Sequence, residues 1–184
     1  MKYINIGLTV VVLALCYFLY RTIAEPIEFE AEKQKRYDAI KERLEDIKTA
    51  QIAYKESKGG FANSFEALTD FIKNDSIMLI KVIGNPDDTT ITVIRDTTYQ
   101  SVLANKFDAD FNPDSIAFVP YTGGATFDIE AGKTKSNNVV VMVFEVSTNT
   151  DVIFENIEDK RFIEPGRYTL GSMMEASFAI KAPL

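Results

Sequence analysis

Residues 3–20 read YINIGLTVVVLALCYFLY, a stretch that contains no charged side chain and ends against Arg21. An apolar run of about 20 residues is long enough to cross the hydrocarbon core of a bilayer as one helix. We therefore expect residues 1–24 to form a membrane anchor that tethers a water-soluble domain. Tyr3, Tyr17 and Tyr20 suit the two bilayer interfaces, where an aromatic ring can be half hydrated.

Two other interpretations of residues 1–24 stay open beside the anchor. A cleaved signal peptide would use Thr22 and Ala24 as its small-residue exit, but the apolar run is long for such a peptide. A lipoprotein signal would use Leu13-Ala14-Leu15-Cys16, in which Leu15 stands where a small residue is expected. The length and the uncharged character of the run favour a retained anchor.

The charges on the two sides of the run predict its direction. Lys2 lies on the short side, and the first residues after Arg21 include four acidic ones, Glu25, Glu28, Glu30 and Glu32. Because positive charge is retained on the cytoplasmic side, we expect a cytoplasmic N-terminus and an external domain. In a Gram-negative bacterium this is a single-pass inner-membrane protein with a periplasmic domain.

An amphipathic stalk helix is predicted over residues 25–58, because apolar side chains recur there at alternating spacings of three and four. Its stripe consists of Tyr37, Ile40, Leu44, Ile47, Gln51 and Tyr54. The stripe either packs on its own domain or forms a short coiled-coil contact, so these six residues are also candidate partner-contact residues. Pro26 can begin this helix or kink a helix that continues from the anchor.

Residues 59–184 are predicted to form an α+β domain that is one globular unit with the stalk helix. Gly59 and Gly60 end that helix, and Asn63 or Ser64 caps a short second helix. Strands are then predicted at 77–83, 91–94, 116–121, 125–131, 139–146, 152–154 and 167–170. Helices followed by strands indicate the α+β class with an antiparallel sheet.

Composition excludes several kinds of function. The chain of 184 residues has a net charge of −7, which repels phosphate backbones, so we expect no nucleic-acid partner. It has no histidine and one cysteine, Cys16, which lies inside the apolar run. Histidine-dependent catalytic centres and the common zinc sites are therefore excluded, and no nucleotide-binding glycine motif occurs. We expect no enzymatic activity and no cofactor.

One segment, Asp108-Ala109-Asp110-Phe111-Asn112-Pro113-Asp114, has the alternate oxygen ligands of a calcium loop. Pro113 stands where such a loop needs glycine, and Val119 stands where the bidentate glutamate belongs. The segment is therefore interpreted as an Asx/Pro turn, and no metal site is predicted.

Residues 39–68, AIKERLEDIKTAQIAYKESKGGFANSFEAL, carry a family pattern at Leu44, Ile47, Ala50, Tyr54, Gly60, Phe61, Ser64 and Leu68. With the apolar run before it, this segment resembles type IV pilins and the pseudopilins of type II secretion. The resemblance covers about residues 1–70. It implies a helix that runs from the membrane into an α+β domain, and a role in protein assembly.

The sequence departs from that family at the processing site of its precursors. Gly7-Leu8-Thr9 is only faintly similar to the cleaved motif, and Val12 occupies the position of the family's glutamate. Since that glutamate helps incoming subunits to register in a filament, its absence favours a static membrane complex over a polymerising pilin.

Two functions are consistent with these features. The first is a structural subunit of an envelope secretion or pilus-type complex, with other membrane or periplasmic proteins as partners, self-association included, and lipid around residues 3–20. The alternative is a membrane-tethered periplasmic binding module for a client protein, a lipid or a small ligand.

Overall fold

The structure, a computed structural model, describes residues 2–83, 94–136, 138–157, 161 and 163–182. Its helices are α1 (Lys2–Lys58), α2 (Phe65–Asn74), α3 (Val102–Lys106) and α4 (Thr150–Ile153), with a 3₁₀ turn at Pro113–Ser115. Its strands are β1 (Ser76–Ile83), β2 (Ile94–Ser101), β3 (Asp128–Ser136), β4 (Val139–Asn149), β5 (Arg167–Gly171) and β6 (Ile180–Lys181). The predicted α+β class is confirmed.

Helix α1 is continuous over 57 residues and passes through Pro26 without a break. Of the two roles considered for Pro26, the structure shows a position within a continuous helix. The backbone therefore has no break at the predicted boundary between residues 24 and 25. The helix ends at Gly59, which has a φ of +80° and donates its N–H to the carbonyl of Lys55 at 2.9 Å. A left-handed residue after the last turn favours glycine.

The two halves of α1 lie in different environments. Every described side chain from Tyr3 to Tyr20 is exposed, whereas Ile40, Leu44 and Ile47 are completely buried. The C-terminal half of α1 is thus a core element of the domain, and the N-terminal half projects from it. Within the predicted stalk segment, residues 36–53 contribute the buried side chains, and residues 25–35 are intermediate or exposed.

The stripe predicted on α1 lies against its own domain. Ile40, Leu44, Ile47 and Gln51 have no exposed surface, and the rings of Tyr37 and Tyr54 are half-buried. The ring of Tyr37 lies tilted by 52° against that of Tyr168 of β5, at 4.9 Å between ring centroids, and Tyr54 packs on Phe71 of α2 at 5.1 Å. The four buried residues therefore present no surface to a partner, because the core that they help to form covers them.

Gln51, the polar member of the stripe, ties α1 to the loop that follows it. Its side-chain amide donates to the carbonyl of Ala62 and accepts from the N–H of the same residue, each at 2.9 Å. A buried amide that satisfies two backbone groups in this way is not destabilising. The pair fixes the loop that leads to α2.

The strands form two antiparallel sheets. One is the hairpin of β1 and β2, and the other has the order β3-β4-β5-β6. The near-continuous apolar run at 139–146 is confirmed as a central strand, because β4 pairs with β3 on one side and with β5 on the other. The core lies between this sheet and helices α1 and α2, and Phe144 of β4 meets Phe61 there at 4.7 Å.

Several local predictions are confirmed and others are wrong. Ser64 caps α2 by accepting from the N–H of Ala67. The strand predicted at 125–131 is confirmed from Asp128 onward as the start of β3, whereas the strand predicted at 116–121 is reduced to a single bridge between Phe118 and Thr126. The expected strand at 152–154 is instead part of helix α4 and the turn after it. Residues 84–93, which carry most of the strand predicted at 91–94, lie outside the described residues.

Candidate functional site

The N-terminal half of α1 presents a large exposed apolar surface. The structure has one helix near the N-terminus that is long and apolar enough to span a membrane, and none of that apolar window is buried. Large apolar side chains there are more than half exposed, such as Tyr3 at 89%, Phe18 at 75% and Leu13 at 64%. An apolar surface of this extent in water would drive association, so lipid or protein must cover it.

The domain begins immediately where this apolar half ends. Phe29 contacts Phe154 at 6.0 Å between ring centroids, and Glu25 forms an ion pair with Arg161 at 3.7 Å. Glu25 is five residues beyond Tyr20, a rise of about 7.5 Å along a helix. The end of the domain that contains α4 therefore lies close to the end of the apolar run.

Arg36 fastens α1 to this end of the domain. Its side chain is almost fully buried and donates to the carbonyl of Ile153 at 2.7 Å and to the carboxylate of Glu32 at 2.9 Å. Its guanidinium also lies over the rings of Tyr121 and Phe154, each at 5.8 Å. These contacts give a buried charge several partners, which is the condition under which such a charge is tolerated.

A groove of about 480 Å³ lies at the junction of the two halves of α1. It is lined by Tyr17, Phe18, Arg21, Thr22, Glu25, Pro26 and Arg161. Arg21 contacts the carboxylate of Glu25 at 2.5 Å, so one carboxylate lies between two guanidinium groups. Sequence reasoning missed this groove, because nothing in the local pattern around Arg161 places it beside Glu25.

A second groove, of about 470 Å³, lies between α1 and the loop of residues 110–121. Its lining includes Arg43, Asp46, Asp110 and Phe111. Arg43 donates to the hydroxyl of Ser115 at 2.7 Å and holds the loop against the helix. Burial raises the pKa of Asp46 above its usual value; Arg43 opposes this shift, and nearby carboxylates, Glu42 among them, reinforce it.

Replacing Asp46 with asparagine should therefore stabilise the domain at neutral pH. A carboxyl whose pKa is higher in the folded chain contributes stability below its unfolded pKa and loses that contribution as pH rises through the folded value. Thermal denaturation should give a higher Tm for Asp46→Asn than for the native chain at pH 7, and the difference should shrink toward pH 3. Glu56→Gln, an exposed carboxylate on the same helix, is the control. A lower Tm for Asp46→Asn at pH 7 would show that the charge of Asp46 is needed.

The neighbouring phenols of Tyr37 and Tyr168 are not suited to acid–base chemistry. Burial, with smaller effects of Tyr37 and Asp38, raises the pKa of Tyr168 to about 12. Burial also raises the pKa of Tyr37. Both hydroxyls stay protonated at neutral pH, so neither can serve as a base there.

The Asp108–Asp114 segment is organised by a turn. Asn112 accepts the N–H of Asp114 at 3.0 Å and caps the 3₁₀ turn that begins at Pro113. Lys73 of α2 binds the carboxylate of Asp114 at 2.5 Å. Over the residues that the structure describes, no group of three or more acidic or cysteine side chains is arranged to hold a metal ion.

Comparisons with known proteins found no matching family model, no matching curated protein and no matching solved structure.

Proposed function

We propose that this chain is a non-enzymatic, single-pass, pilin-like subunit of an envelope secretion or pilus-type complex, and that it acts through protein–protein assembly. The observation that carries the proposal is the division of α1. One unbroken helix has an exposed apolar half and a half that is the core of an α+β domain. The residues of the pilin-like pattern, Leu44 to Leu68, lie in the C-terminal part of this helix, in the loop after it and in α2.

The exposed half of α1 supports a membrane address for this subunit. We place it in the bacterial inner membrane, with a cytoplasmic N-terminus and a periplasmic domain. The flanking charges favour this direction, and the acidic domain is repelled by anionic lipid surfaces, so the helix supplies the attachment.

Extraction of the native complex tests this proposal most directly. The full-length chain, purified from membranes in mild detergent, should retain its apolar segment and bring the same partner proteins with it in repeated preparations. Intact mass separates the possible forms, since loss of the first 7, 15 or 24 residues would indicate prepilin, lipoprotein or secretory processing. Recovery of a fully functional chain without any partner protein would contradict the assembly role.

Complementation of a knockout separates a tether from a specific membrane contact. A domain lacking residues 1–24 and exported by a cleavable signal should fold but fail to complement. A second variant, with residues 3–20 replaced by leucines, keeps the tether and changes the surface of the helix. If the leucine variant complements the knockout and the truncated domain does not, then the apolar half of α1 serves only as an anchor. Full complementation by the untethered domain would overturn the proposal and favour a diffusible binding protein.

A further inference from the structure

The four-stranded sheet ends at β6, and no described residue pairs with the outer edge of this strand. The register shows which backbone groups point outward. Gly171 donates its N–H to the carbonyl of Ala179 at 3.1 Å, and Lys181 is paired with Thr169. Since the backbone groups of successive residues point to opposite sides of a strand, the N–H and C=O of Ile180 point away from β5. Ile180 therefore offers one donor and one acceptor to a further strand.

A groove of about 470 Å³ runs beside this edge, between the segment of residues 178–180 and helix α1. Its α1 wall includes Lys41, Glu45, Lys48 and Ile52, and each of them directly follows a buried member of the α1 stripe. These four residues therefore lie along one face of the helix. The first and the last are separated by a rise of about 16 Å along the helix, which is the length of a strand of about five residues. The groove can accommodate one short strand.

The lining of this groove combines apolar surface with positive charge. Ile52, Phe178 and Ile180 are partly exposed there. Among the ion pairs of the described residues, none involves Lys41 or Lys48. With two lysines and one glutamate, the groove is locally positive in a chain whose net charge is −7. Charge complementarity therefore favours an occupant that carries carboxylates.

We propose that an extended, acidic segment of a partner protein adds to the outer edge of β6 as a fifth strand. Its backbone exchanges hydrogen bonds with Ile180, and its alternate side chains face α1. Ile180 lies opposite Leu170, which is completely buried, so the partner residue opposite Ile180 also faces the core side and is apolar. The neighbouring alternate positions carry carboxylates for Lys41 and Lys48. Main-chain bonds supply affinity in this mode of recognition, and alternate side chains supply specificity. This inference rests on the proposed function and describes the contact segment of one partner.

Fluorescence anisotropy with the full-length chain in mild detergent tests strand addition. The probes are labelled peptides of sequence TETVTET and TKTVTKT, and a form of the first with an N-methyl group on its valine. The acidic peptide should bind about tenfold more tightly than the basic one, and N-methylation should weaken its binding about tenfold, because it removes a donor to the carbonyl of Ile180. Lys48→Glu should abolish the preference for the acidic peptide. Lys133→Glu, at an exposed lysine of β3, is the control and should leave the preference unchanged.

Amide hydrogen exchange locates the bound peptide. Exchange at the N–H of Ile180 should slow when the acidic peptide binds. Exchange at the N–H of Gly171, which is already bonded to Ala179, should not change.

Each other outcome has a distinct meaning. Equal binding of the acidic and basic peptides, or binding that N-methylation does not weaken, would overturn this inference. Absence of peptide binding at millimolar concentration would also overturn it, and would leave the proposed function intact if the same partner proteins are still recovered from membranes. Peptide binding as expected, by a chain that is fully functional without any partner, would support the edge site and contradict the assembly role. The Tm of each variant shows whether a lost preference reflects unfolding.

Discussion

Replacing Gly171 with alanine is expected to destabilise the domain by roughly 2–5 kcal/mol. Gly171 ends β5 with a φ of +81°, and a Cβ at this position would overlap the backbone carbonyl of Phe144 on β4. Part of the effect comes from the left-handed backbone and part from the overlap. Because the obstacle is the backbone of a central strand, the overlap cannot be relieved by rotating a side chain. Urea denaturation of a chain lacking residues 1–24 measures the effect.

Two other glycines separate these causes. Gly124 has a φ of +107° with no atom near its Cβ position, so Gly124→Ala should cost about 1–2 kcal/mol. Gly123 has open space and an ordinary φ, and Gly123→Ala should change stability by less than about 0.5 kcal/mol. If Gly171→Ala is no more destabilising than Gly124→Ala, then β4 and β5 are not as close at this point as the structure has them.

Truncating Leu44 to alanine should cost roughly 2–5 kcal/mol, because it opens a cavity at the centre of the α1 stripe. Leu44 is completely buried. The same denaturation experiment measures the effect, and Lys41→Ala, at an exposed position on the same helix, should stay within about 0.5 kcal/mol.

The opposite result has a clear interpretation. If Leu44→Ala leaves the free energy of unfolding unchanged and instead prevents recovery of partner proteins from membranes, then the stripe faces a partner. That outcome would also place Ile40 and Ile47 on the same contact, since all three lie on one face of α1.

The parts of the fold that sequence predicted correctly have strong, long patterns. The uninterrupted apolar run of β4 indicates a central strand, and the stripe on α1 repeats often enough to fix its buried face. Glycine after Lys58 and serine before α2 act through local geometry, so neighbouring residues suffice to predict them.

The parts that were predicted wrongly depend on distant contacts. Ile153 and Phe154 are buried, Phe154 against Phe29, and the carbonyl of Ile153 accepts from Arg36. A short apolar run of this kind is compatible with a strand or with a helical turn. Two backbone hydrogen bonds join the segments around residues 117–127, from the N–H of Val119 to the carbonyl of Ala125 at 2.8 Å and from the N–H of Phe127 to the carbonyl of Ala117 at 2.9 Å. The hydroxyl of Thr122 closes the turn between them by donating to the carbonyl of Val119 and accepting from the N–H of Ala125.

The two grooves of the candidate functional site could not be predicted from the sequence, because they too depend on contacts between distant parts of the chain. Arg21 and Glu25 are one helical turn apart and their pairing is foreseeable. Arg161 joins them only through the folding of the whole domain, and the burial that shifts the pKa of Asp46 depends on the loop of residues 110–121.

If the apolar half of α1 spans a bilayer, as proposed, the unbroken helix acts as a lever whose shorter part is held by lipid. Residues 22–58 extend about 54 Å at 1.5 Å per residue, so a 10° change of tilt would move Lys58 sideways by about 9 Å. Helix tilt responds to the mismatch between the length of an apolar segment and bilayer thickness. A thinner or thicker bilayer would therefore displace the far end of the domain, and any subunit docked there would experience that displacement as force.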